Sequence, residues 1–161
     1  EIGKSLYEED LVKTSKKLIE KAKKNNCNIL LPDDVVTGNK FEENAVAEIK
    51  SISDIDKNDI ILDIGPKTIK KLSAIIKEAK TIVWNGPLGV FEFEQFSNGT
   101  KNLAHDIAKS AAYSIAGGGD TIAAINKFSV KKDISYISTG GGAFLEFIQG
   151  VELPGLLALN K

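Results

Sequence analysis

Cysteine is almost missing from this sequence, with Cys27 the one copy in 161 residues. A single thiol closes no internal disulfide, and that usage fits a reducing, cytoplasmic setting. Flanked by Asn26 and Asn28, Cys27 reads as a bystander. Histidine is as scarce: His105 sits mid-helix beside Asp106, reads as a surface or capping residue, and leaves no Cys/His cluster that could hold zinc. No apolar run is long enough to span a membrane, and no signal peptide opens the chain. Excess charge of one sign is lacking too, with 21 basic against 22 acidic residues. Nothing resembles the basic stripe of a nucleic-acid binder, so neither nucleic acid nor membrane is expected as a partner. Two familiar phosphate signatures also fail. The dinucleotide fingerprint needs a third glycine where Ile122 and Leu145 stand, and no Gly-Lys-Ser or Gly-Lys-Thr follows any glycine run.

What is present is a chain with 42% apolar residues, enough for one domain with a real core. It begins at Glu1 and enters a helix almost at once, which suggests a fragment. Ser5 and Glu8 have capping-box spacing, followed by Leu11, Ser15, Leu18, Ile19 and Ala22 at helical intervals. Ile29-Leu30-Leu31 reads as a buried strand bounded by Pro32, with Asp33 and Asp34 at its carboxyl end, where open α/β sheets place ligands. Val35-Val36 continues that run. Residues 41–57 alternate weakly and suggest an exposed strand. Ile60 to Ile64 is another strand, after which Thr68 is expected to cap a helix with Ile69, Leu72, Ile75, Ile76 and Ala79 inward. Thr81 to Trp84 forms a strand turned by Asn85-Gly86-Pro87-Leu88-Gly89, and a helix follows near 100–112. Strands alternating with helices of this length predict a three-layer α/β fold, a parallel Rossmann-like sheet with helices on both faces.

Two stretches carry chemistry. In Ser114 to Thr121 a short strand runs into Gly117-Gly118-Gly119 and directly into a helix opening with Asp120-Thr121. Tyr136 to Ala143 repeats the device with Gly140-Gly141-Gly142. Three residues without Cβ leave bare N–H groups where a helix begins, and with the helix dipole they make a cradle for phosphate oxygens. Asp120 adds a hard oxygen of the kind Mg²⁺ takes beside nucleotide phosphates. Either triple glycine alone is equally a tight turn; the pair, with Asp120, favours two cradles at one sheet edge. Phosphoryl transfer requires no protein nucleophile, only positioning, a metal and donors aimed at the moving group.

Five segments then resemble, in order, the signatures of the phosphoglycerate kinase family. They are Asp63-Ile64-Gly65-Pro66-Lys67-Thr68, the run Trp84 to Glu92, Gly117 to Thr121, Ser138 to Ala143, and Leu153-Pro154-Gly155. The resemblance covers essentially the whole chain and corresponds to the latter part of the family's carboxyl-terminal, nucleotide-binding domain, so residues 1–161 are expected to form a truncated version of it. It implies a phosphotransferase moving a phosphoryl group between 1,3-bisphosphoglycerate and Mg-ADP, giving 3-phosphoglycerate and ATP in glycolysis. Asn85, Gly86, Pro87 and Leu88 would line the nucleotide channel, and Glu92 would bond the ribose hydroxyls. Gly118, Gly119 and Thr121 would hold phosphate oxygens, with Asp120 on Mg²⁺. Gly119, Gly140, Gly141 and Gly142 would face the phosphoryl group in transit.

Two departures stand out. Phe144 occupies a position where the family usually has serine, and Ile61 one where many members carry a glycine that approaches the base, so Ile61 belongs to the expected adenine slot. The family's phosphoglycerate-binding amino-terminal domain has no counterpart here, nor has its lysine-bearing nucleotide loop. Phosphoglycerate would therefore reach this chain only through a missing domain of an otherwise monomeric enzyme. The alternatives are a nucleotide-binding module without catalysis and an α/β interaction domain that binds no nucleotide; titration with Mg-ADP separates the last from the others.

Overall fold

The alternation of strands and helices becomes two sheets instead of one. A computed structural model describes residues 2–159. In chain order the elements are α1 (Val12–Lys24), β1 (Asp34–Gly38), β2 (Glu48–Ser51), β3 (Ile60–Ile64), α2 (Pro66–Glu78), β4 (Thr81–Trp84), α3 (Asn98–Lys109), β5 (Tyr113–Ala116), α4 (Gly119–Lys127), β6 (Tyr136–Ile137), α5 (Gly142–Ile148) and α6 (Pro154–Leu159).

Strands β4, β5 and β6 are parallel neighbours in that order. Alternate side chains of a strand point to opposite faces, and this sheet uses both. Trp84 and Ala116 turn to one face, into a core with Ile76 of α2, Ile107 of α3 and Ile125 of α4. On the other face Val83, Ile115 and Tyr136 meet Phe144 and Phe147 of α5 and Leu156 of α6 around a cavity of about 510 Å³. The result is the expected three-layer α/β arrangement, a parallel sheet between two layers of helices.

Strands β2, β1 and β3 form a separate antiparallel sheet. Val36 lies opposite Ile49 on one side and Asp63 on the other, with the register shifting between Val36 and Thr37. Its core gathers Val36, Ala45, Leu62 and Phe96. Ile60 to Ile64 is therefore a strand as expected, but its partner is β1 and not the parallel sheet.

Several local expectations are overridden by distant groups. Helix α1 begins at Val12 after one 3-10 turn, and Ser5 does not cap it: the hydroxyl donates to the Ile2 carbonyl and accepts from the Ile61 N–H at 2.9 Å. The apolar stripe of α1 forms at its spacing, yet no residue of the helix is buried. Ile29, Leu30 and Leu31 are exposed and form no strand, because among the described residues no strand offers them a ladder. The strand begins instead at Asp34, beyond Pro32. Asp34 is buried and its carboxylate is taken up within the chain: it accepts from the Lys67 and Thr68 amides at 2.9 and 2.8 Å, and from the Thr68 hydroxyl. Burial raises its pKa, but these bonds outweigh that and leave the carboxyl below its ordinary range. Asp34 thus caps α2, while Thr68, expected as the cap, sits two residues inside a helix that opens with Pro66. Asp33 pairs with Lys71.

Candidate functional site

Strands β5 and β6 lie side by side and point the same way, so the two triple-glycine turns leave the sheet at one edge. The ladder continues one step past the strands, with Ser138 N–H donating to the Ala116 carbonyl at 2.8 Å and Gly117 N–H to that of Trp84 at 3.1 Å. Gly118 then takes φ +96°, which an L side chain avoids, and becomes the residue before α4. The first bond of α4 runs from Ile122 N–H to Gly118 O. The amides of Gly119, Asp120 and Thr121 therefore have no acceptor within the helix and form its positive end. Space beside Gly119 is open: a Cβ there meets nothing within 4 Å.

The Asn85–Gly89 turn closes one side of this cradle. Asn85 Oδ1 lies where a Cβ on Gly118 would come within 2.8 Å of it. Gly86, at φ +94°, donates its N–H to Thr121 Oγ1 at 2.7 Å, and its carbonyl accepts the Trp84 indole N–H at 2.9 Å. Leu88 N–H donates to Thr100 Oγ1 at 3.1 Å. Thr121 is thus fully buried, and its hydroxyl ties the cradle to the turn. Asp120, one residue earlier, is exposed at the helix start.

The second cradle is built more simply. Ser138 is buried, its hydroxyl accepts the Gly140 N–H at 3.2 Å, and Gly141 takes φ +55° before α5. No residue of α5 is buried. Phe144 lies across to the first cradle: a Cβ on Gly117 would stand 2.2 Å from Phe144 Cδ1, so the ring rests directly on that glycine.

Ile61 stands apart from both cradles, in the wall of a cavity of about 570 Å³ with Phe41, Leu62, Val90 and Tyr7. The chain links this cavity to the turn, because Val90 follows Gly89 and donates its N–H to Leu62 O at 2.8 Å. Glu92 is exposed, and its carbonyl accepts from Lys127 Nζ at 3.1 Å. Asn85 meets Gly118 and Gly86 meets Thr121, Leu88 on the same turn is held by Thr100, Ile61 is linked to the turn through Val90, and Glu92 lies beyond Val90 on the same segment. Sequence reading gave no role to Phe41, which opens the 41–57 segment, nor to Val90 beyond its place in the Trp84–Glu92 run.

It also gave no role to Asp63. That carboxyl is 1% exposed and accepts from Gly99 N–H at 2.7 Å and Ile64 N–H at 2.8 Å. Burial pushes its pKa up to about 6 against the pull of those two bonds. Among the described residues no group of three or more His, Cys, Asp or Glu side chains could cage a metal. Asp120 is a lone carboxylate beside open amides, which suits Mg²⁺ carried on nucleotide phosphates with waters completing its shell.

A parallel sheet between helices, with two glycine-rich strand-to-helix turns at one edge, places the chain in the α/β class whose ligand sites lie at the carboxyl ends of the strands. The family model for phosphoglycerate kinase matches residues 1–151, and the chain belongs to that family. Among solved structures, phosphoglycerate kinase from Coxiella burnetii is 48% identical with a TM-score of 0.92, covering 94% of this chain and 39% of that one. The enzyme from Pyrococcus horikoshii OT3 is 37% identical with a TM-score of 0.80, covering 94% of this chain and 36% of that one. The chain therefore spans well under half the length of these relatives. Among its described residues no helix is long and apolar enough to cross a membrane.

Proposed function

We propose that this chain supplies the Mg-nucleotide side of a phosphotransferase that moves a phosphoryl group between 1,3-bisphosphoglycerate and ADP, giving 3-phosphoglycerate and ATP in glycolysis. The observation that carries this reading is the pairing of the two glycine turns at the ends of adjacent parallel strands, with the Asn85–Gly89 turn bonded to the first of them. Adenine fits the apolar cavity of Ile61, Phe41 and Val90. The Ile61 side chain makes a wall of that cavity, and its N–H is committed to Ser5, so the base is held by packing more than by this amide. Glu92 is assigned to the ribose hydroxyls. The amides of Gly118 and Gly119 receive phosphate oxygens, and Thr121 acts by fixing Gly86. Gly140, Gly141 and Gly142 offer amides to the group in transit, where donors fixed in advance stabilise developing charge.

Asp120 would hold Mg²⁺, which when bound supplies positive charge against the phosphates. The phosphoglycerate partner is assigned to the remainder of the kinase fold. Calorimetric titration of the 161-residue chain with ADP, with and without Mg²⁺, tests the reading. Saturable one-site binding that strengthens with Mg²⁺ is expected, and its absence at millimolar ADP overturns it. Turnover with 3-phosphoglycerate, ATP and Mg²⁺ is not expected from this chain alone. Alignment of two ligands is worth about 7–11 kcal/mol of barrier, and only one ligand is held here.

A further inference from the structure

Asp63 is the most deeply buried carboxylate near the site, and among the described residues no lysine lies within ion-pair distance of it. Burying a carboxylate without a cation is unfavourable unless hydrogen bonds compensate. Here they come from Gly99 N–H on Oδ2 and Ile64 N–H on Oδ1. Two glycines make room for the group. A Cβ on Gly99 would lie 2.2 Å from Oδ1, and one on Gly89 would lie 2.4 Å from the same oxygen. Gly99 lies in the first turn of α3, Gly89 ends the Asn85–Gly89 turn, and Asp63 of β3 meets both. The next residue of α3, Thr100, receives the Leu88 N–H. The next residue of the turn, Val90, donates to Leu62 O beside Asp63.

We propose that Asp63 is the positioning residue of the nucleotide site: its carboxylate holds the start of α3 and the end of the Asn85–Gly89 turn in one arrangement. The turn then spans two abutments. Thr121 of α4 fixes it at Gly86, and Asp63 with Thr100 fixes it at Leu88 and Gly89. No atom of Asp63 reaches toward the open side of the cradle; it acts through the groups it holds. A neutral side chain at 63 accepts well from only one of the two amides, so the end of the turn loosens while β3 keeps its register. The proposal rests on the nucleotide reading for its consequence in binding, but not for the mechanical link itself.

The test uses the 161-residue chain and its single tryptophan, Trp84, whose indole N–H bonds Gly86 within the turn. Asp63→Asn should weaken ADP about tenfold, the scale of one lost charge-assisted bond, while far-ultraviolet dichroism stays unchanged. Acrylamide quenching of Trp84 should rise about twofold, as expected of a fluctuating turn. Gly99→Ala should act in the same direction through collision with the carboxylate. In the Asp63→Ala background the same Gly99→Ala change should cost clearly less than in the unsubstituted chain, the remainder coming from Ile64 Cγ1, 2.7 Å from the same Cβ. Wild-type affinity and quenching in Asp63→Asn, or strict additivity in the cycle, overturns the proposal. If the unsubstituted chain fails to bind ADP, the nucleotide reading falls, and quenching and the cycle still decide the positioning role. If Asp63→Asn fails to fold, amide exchange in the unsubstituted chain decides it. Leu88 and Gly99 amides protected together support the link; free exchange at either refutes it.

Discussion

At Gly118 the chain is held from three sides, by the Trp84 carbonyl through Gly117, by Asn85, and by Thr121 through Gly86. Beside Gly141 the comparable support is one serine hydroxyl, which accepts the Gly140 N–H. The helices differ in the same sense. Thr121, Ala124 and Ile125 of α4 are buried, whereas no residue of α5 is. The glycines are the same in number, and each set follows a short parallel strand, so the difference lies in what arrives from elsewhere in the chain. The lesson is that a glycine triplet specifies a turn, while its rigidity is set by neighbours. The first cradle is the more tightly held of the two, a division that would suit the roles proposed for them, one on nucleotide phosphates and the other facing the group in transit.

The largest effect should come from Gly118→Val. A β-branched residue at φ +96° is strained, and its Cβ meets Asn85, so stability should fall by about 4 kcal/mol and Tm by roughly 10 °C in calorimetry. The same change at Gly141 is strained by φ +55° but has open space beside it, so it should cost less than at Gly118. Equal losses would erase the distinction between the cradles.

Acid sharpens the comparison next, because only the first cradle leans on a titrating group. Burial raises the Asp63 carboxyl from 3.8 to about 6, so the fold favours its protonated form: stability is highest below about pH 4 and falls as pH rises through 6, the two amide bonds recovering only part of the cost of the buried charge. Relative to Asp63→Asn, the unsubstituted chain should therefore lose about 3 kcal/mol between pH 4 and pH 7 in denaturant titrations. A flat difference across that range would mean the carboxyl is not held as described.

Gly119→Val separates fold from ligand. Its Cβ enters open space at an ordinary φ, so Tm should hold within a few degrees while ADP weakens about a hundredfold, or about 2.7 kcal/mol. A loss of Tm with affinity intact would return Gly119 to the status of a tight turn. The smallest change is expected for Phe144→Ser, which removes a half-exposed ring and should cost about 1 kcal/mol. Hydrogen exchange should then rise over residues 139–148 and at Gly117, which the ring covers, and stay level over 119–127. An equal rise in both would make the two cradles one mechanical unit.

How much of this was legible follows from where each cause lies. The glycine turns and the strands before them were readable because backbone conformation and strand-to-helix alternation are local. The parallel sheet and its two helical layers followed from that alternation. Ile29 to Leu31 reads as a strand by composition, but a strand exists only with a neighbour, and composition names no neighbour. Ser5 and Glu8 satisfy a capping pattern, yet the Ser5 hydroxyl is taken by an amide 56 residues away. Asp63 passed as part of a motif because its decisive partner, Gly99, arrives 36 residues later. Long-range hydrogen bonds leave no periodic trace, and the unforeseen parts of the site are of that kind.

The contact between Phe144 and Gly117 also constrains how this sequence can drift. With a phenylalanine at 144 the ring occupies the volume that any side chain at 117 would enter, so position 117 is closed to everything but glycine for as long as the ring remains. A smaller residue at 144 would reopen it. Changes at the two sites are thus coupled: a residue at 117 can grow only where the ring at 144 shrinks or turns away.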